Sequence, residues 1–161
     1  MSLKTIINFG LQARLSATVA GDTGAMPHSA ADQLIWASGT GADQADKVYA
    51  DSGSLSASAV LTMDFAPGSD DAFGSPATMA RIKAVYVQNT GATASISLGG
   101  NNSFFGAGLV LRPGETVMKA VGATDATGWA VAAGSTDVLS ITNQSGAAAA
   151  SYRVIVVGAS A

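Results

Sequence analysis

The chain has 161 residues, no cysteine, one histidine and a formal net charge of -3, with 12% charged and 48% hydrophobic residues. That length suits one compact domain, or one domain with an arm, and needs no metal or disulfide to fold. The missing thiols exclude disulfide scaffolds, thiolate nucleophiles and iron–sulfur sites, the scarcity of Lys and Arg argues against a nucleic-acid surface, and no run approaches the roughly 20 apolar residues of a membrane span.

From the N-terminus, Ile6 and Ile7 make only a short apolar run, without the h-region of a secretory signal. Alternation with a period of two then marks half-buried strands. Leu11, Ala13, Leu15, Ala17 and Val19 fall on one face of a first strand, and Gln12, Arg14, Ser16 and Thr18 on the other. Gly21 to Ala31, with its Gly, Pro and His, predicts a flexible break before a short strand at Leu34 to Ala37. Residues 39–80 are rich in Gly, Ala, Ser and Asp, with one clear strand where Ala59, Leu61, Met63 and Phe65 alternate with polar or outward positions.

Beyond residue 80 the strand signals are denser. Arg81 to Thr90 is apolar enough for a central strand, and Tyr152 to Val157 is rich in β-branched residues. Shorter candidates are Ala94 to Leu98, Leu109 to Leu111, Glu115 to Ala120, Gly128 to Ala132 and Val138 to Thr142. Arg112-Pro113-Gly114-Glu115 suits a type II turn, and Asn89-Thr90-Gly91, Gly99 to Asn102 and Asn143 to Gly146 are further breaks. The expected fold is all-β: an antiparallel, jelly-roll-like β-sandwich over 39–161, with an N-terminal arm or extra edge strand over 1–38.

Residues able to carry chemistry are sparse. His28 is the only histidine and sits beside Pro27, where an exposed loop histidine is the expected role. No Gly-x-Ser-x-Gly elbow accompanies any serine. Of the carboxylates that could pair for catalysis, Asp43, Asp46, Asp51, Asp64, Asp70, Asp71, Glu115, Asp125 and Asp137, most sit next to Gly, Ser or Thr in predicted turns, where aspartate bonds its own backbone. Asp43, Asp46, Asp51 and the Asp70-Asp71 pair offer oxygens of the kind calcium takes, but not at EF-hand spacing. No phosphate loop is present, and no catalytic residue or cofactor is expected; a structural calcium ion is the alternative to turn chemistry for the loop aspartates. The candidate contact residues are Leu11 and Leu15 on the arm, the adjacent rings of Phe104 and Phe105, and Trp129 in Gly-Trp-Ala-Val.

Several segments in order resemble a known group. They run from Gly39-Thr40-Gly41-Ala42-Asp43-Gln44-Ala45-Asp46-Lys47-Val48-Tyr49 through Leu61-Thr62-Met63-Asp64-Phe65, Asp71-Ala72-Phe73-Gly74 and Ile82-Lys83-Ala84-Val85-Tyr86-Val87. The Arg112-Pro113-Gly114 turn, Thr127-Gly128-Trp129-Ala130-Val131, Asp137-Val138-Leu139-Ser140-Ile141 and Val154-Ile155-Val156-Val157-Gly158 complete the set. Together they resemble the small β-sandwich virion proteins of tailed bacteriophages, of the capsid decoration, head-fibre or minor tail type. The resemblance implies a virion part made in the host cytoplasm, with no catalytic residues. A capsid decoration or cement protein would bind the major capsid protein as a homo-oligomer, expected to be a trimer, with segment 1–38 adding a strand to a neighbour's sheet edge. A receptor- or glycan-binding module of a head fibre or tail would instead use Phe104, Phe105 and Trp129. A hydrolase of envelope sugars would need paired carboxylates.

Overall fold

The computed structural model describes residues 3–19, 22–66, 69–70, 74–99, 108–122 and 124–161, with only the backbone of 15–19, 22–26 and 28. Among them no helix occurs, and twelve strands follow in order. They are β1 (Thr5–Val19), β2 (Asp22–Ser38), β3 (Gln44–Ala45), β4 (Lys47–Leu55), β5 (Val60–Asp64) and β6 (Arg81–Asn89). After these come β7 (Ile96–Gly99), β8 (Leu109–Leu111), β9 (Thr116–Ala120), β10 (Trp129–Ala130), β11 (Val138–Asn143) and β12 (Ala150–Ala159).

Two antiparallel sheets form the sandwich. One runs β4-β12-β6, with β9 and β10 pairing successive lengths of the far edge of β6. The other runs β5-β11-β7-β8. Strand residues two apart share a face, so Leu61 and Met63, Ile96 and Leu98, and Leu139 and Ile141 turn inward from the second sheet. They meet Val85, Val87, Val154 and Val156 of the first. The Phe65 ring meets Tyr49 edge-on, with centroids 5.7 Å apart and planes at 78°. The Arg112–Glu115 turn forms as its residues predict. Gly114 takes φ +81°, and Glu115 N–H donates to the Arg112 carbonyl at 3.0 Å.

The first sheet carries one irregularity that shapes its outer face. Val157 pairs with Ala84 but Gly158 pairs with Ile82, so Lys83 is the extra residue of a β-bulge. The bulge lets Ile82 and Val85, three apart, both reach the core. Lys83 is left fully buried, and its Nζ donates to the carbonyls of Gly41 and of Ala42, the latter at 2.8 Å.

Two expectations from the sequence are corrected. The stretch from Gly21 to Ala31 is not a flexible break: from Asp22 it is strand, paired residue for residue with β1 up to Thr5↔Trp36. The arm is therefore a closed hairpin of 15- and 17-residue strands, not a lone edge strand. Residues 47–55, which carry no alternation of apolar residues, form the nine-residue β4.

Candidate functional site: the hairpin and the groove at its base

The hairpin is docked by its base. Trp36 is fully buried with Ala45, Ala84 and Val157 on the outer face of the five-stranded sheet, and Ile7 and Leu34, a cross-strand pair, pack against them. Among the described residues its indole N–H finds no hydrogen-bond partner, so packing holds the ring. The joint that follows is tied by hydrogen bonds. Ala37 N–H donates to Asp43 O at 2.9 Å, Gly41 N–H donates to Gln44 Oε1 at 2.9 Å, and β3 pairs in parallel with the end of β2. The Lys83 ammonium locks the same loop from beneath. Burial pushes its pKa down, and the neighbouring Arg81 charge adds to the shift.

Beyond the base, cover runs out. Thr5, Ile7 and Phe9 are half-buried, but Leu11, on the same face, is 69% exposed. Its partner across the ribbon, Ala30, is exposed, and so is Ala13. The opposite face carries another apolar pair: Ile6 sits across from Ile35 and each is 48% exposed. Between the ribbon and the sheet a groove of about 350 Å³ opens among Ile7, Asn8, Tyr86, Met118 and Ile155. A second hollow of about 500 Å³, lined by Phe9, Leu11, Ala30 and Asp32, shares Asn8 and Met118 with it and continues it along the hairpin.

The residues singled out from sequence fall in different places. Leu11 is at the open end of this groove. Leu15 lies on β1 opposite Met26, with its side chain outside the described set. Phe104 and Phe105 lie outside the described residues. Trp129 belongs to β10, half-buried against the sandwich core, with Lys119 Nζ 4.8 Å from its ring centre. It therefore stands apart from the hairpin. Ile6, Ile35, Met118 and Ile155 were not singled out, because a residue in an apolar strand run carries no mark of which sheet face is left open.

Most of the described carboxylates accept hydrogen bonds from backbone N–H groups or hydroxyls. Asp64 Oδ1 accepts from Ala66 N–H, and Asp137 Oδ2 from Gly134 N–H at 2.6 Å. Asp125 Oδ1 accepts from the Thr127 hydroxyl and from the Thr127 and Gly128 N–H groups, which hold its pKa down. Glu115 Oε2 accepts from Arg112 N–H. Asp46 takes the Ser160 N–H, and Asp51 the Tyr152 hydroxyl at 2.8 Å. Among the described residues no three His, Cys, Asp or Glu side chains come together as a metal cluster would need; Asp71 lies outside that set. Comparison with protein-family models, with curated proteins and with solved structures finds no match for the chain.

Proposed function

We propose that this chain is a non-enzymatic structural protein of a virus particle: a decoration or cement protein that binds the outside of a tailed-phage head as a symmetric oligomer. The observation that carries the reading is the hairpin. A rigid sandwich presents a long, charge-poor ribbon whose apolar face outruns its own support at Leu11. Contiguous exposed apolar surface of this kind marks a protein contact, and interface cores are depleted in charge because burying unpaired charge is costly. Repetition by symmetry lets individually weak contacts of this type hold a shell. The segments that resemble phage virion proteins support the particle as the setting.

The test is location. Particles of the phage that encodes the chain, purified and probed with antibody to it, are expected to contain many copies and to carry label on the head. Absence of the chain from purified particles would overturn the reading, and label confined to the tail would overturn the head assignment.

A further inference from the structure

We infer that the outer half of the hairpin of a second copy of this chain occupies the groove between the hairpin base and Tyr86, Met118 and Ile155, in a head-to-tail exchange that closes a ring. The inference rests on the structural reading above and names the partner of the same surface.

Each copy has a slot and an arm that belong to different ends of one element. The slot is walled on one side by residues 5–8 of β1 and on the other by the outer sheet face. The arm is the rest of that ribbon, so a chain cannot fold its own arm back into its own slot. Left alone, the arm is a two-stranded ribbon, which is marginal in water without an apolar surface against one face. Left alone, the slot leaves Ile155 37% exposed on a face whose neighbouring row, Val157 and Ala84, is fully covered. A second copy answers both requirements with one contact.

Size and charge agree. A standard interface uses about 20–30 residues on each side, and the 9–32 stretch of the sequence holds a number within that range. Beyond Phe9, β1 runs about 30 Å at about 3.3 Å per residue, long enough to leave its own molecule. The 9–32 stretch holds only Arg14, Asp22 and Asp32 as charged residues. Copies therefore do not repel one another there, whereas an arm built for nucleic acid would carry clustered Lys and Arg. Because the arm contacts a different surface from itself, the contact can pass head-to-tail from copy to copy, and a ring is the closed form of that arrangement; a reciprocal exchange between two copies would show as a dimer mass and would overturn the ring.

Two variants separate the halves of the contact. Ala13→Asp puts a charge on the arm, at a position exposed in the single chain; Ile155→Asp puts one in the slot. Sedimentation velocity is expected to show rings of three or more copies for the unaltered chain and monomers for each variant. An equal mixture is expected to give dimers, since the Ile155→Asp arm fits the Ala13→Asp slot. Arms that paired with arms would leave Ile155→Asp associated on its own through its unaltered arm, and that result would overturn the exchange, as would a monomeric mixture, a monomeric unaltered chain or an Ala13→Asp variant that still forms rings. Far-UV circular dichroism checks folding, and Met118→Glu replaces Ile155→Asp should the latter lose its β signature. A monomeric chain that still labels particle heads would sink the exchange and leave the structural reading standing; rings absent from particles would do the reverse.

Discussion

Two buried asparagines, each the last residue of its strand, fix the corners of the sandwich. Asn89 closes β6: its amide nitrogen donates to the Ala94 and Leu111 carbonyls, and its Oδ1 accepts from Gly91 N–H. Asn143 closes β11 in the same manner. Its nitrogen donates to the carbonyls of Leu55, Ser56 and Ala148 at 2.8–3.1 Å, and its Oδ1 accepts from Ser145 N–H. Read from sequence, both stand in Asn-containing breaks; the structure makes them joints between sheets. Asn143→Ala leaves several carbonyls without a donor, so a loss of about 2 kcal/mol is expected. Thermal melting should register it as a fall of about 4–8 °C, and an unchanged midpoint would contradict the role. The tyrosines add a pH dependence. Burial first, and then Asp51, raise the pKa of Tyr49 and of Tyr152 above the ordinary value of 10.0. A raised folded value means that the folded chain holds these protons while the unfolded chain releases them. Their contribution is complete below pH 10 and is lost as the pH climbs through the folded values. Absorbance titration should therefore show Tyr49 and Tyr152 ionising late, together with unfolding.

Strands that keep an apolar residue at every second position were legible in the sequence, and those that do not were missed. In β5, β7, β11 and β12 the core selects apolar side chains at every second position, so alternation survives in the residues themselves. In β4 the inward positions after Tyr49 are Asp51 and Gly53, and the pattern breaks. The cause is Tyr152 on the neighbouring strand, paired with Gly53. Its phenol crosses that glycine, where a Cβ would lie 3.1 Å from the hydroxyl, and donates to Asp51. One aromatic ring thus fills the place of two side chains and erases the signal. In β2 the outer half has no sheet beneath it, and a ribbon edge tolerates Pro27, which lacks an N–H. The hairpin's independence from the core can be tested. Residues 10–31 are replaced with Asn-Gly, a two-residue turn suited to a right-twisted hairpin, joining the paired Phe9 and Asp32. Trp36, Ile7 and Leu34 remain docked, so the melting midpoint should stay within a few degrees of the full chain while self-association is lost. A shortened chain that fails to fold would show that the arm belongs to the core.

At the scale of the whole molecule, low charge decides which force would hold the proposed oligomer together. With 12% charged residues and a net charge of -3, long-range attraction between copies is weak, and the exposed apolar row on the hairpin dominates any contact. The two forces respond oppositely to salt. Screening shortens the reach of charges to about 3 Å at 1 M ionic strength, which dissolves assemblies held by surface ion pairs. Apolar contacts are indifferent to simple salts, and excluded salts such as sulfate strengthen them. Oligomers of this chain are therefore expected to persist from low salt to about 1 M sodium chloride and to tighten in sulfate, as read by sedimentation at fixed protein concentration. Dissociation on adding sodium chloride would place the contact on the few charged side chains instead. The same property would suit the virion part proposed above, since ionic strength outside a particle is set by the surroundings and not by the cell.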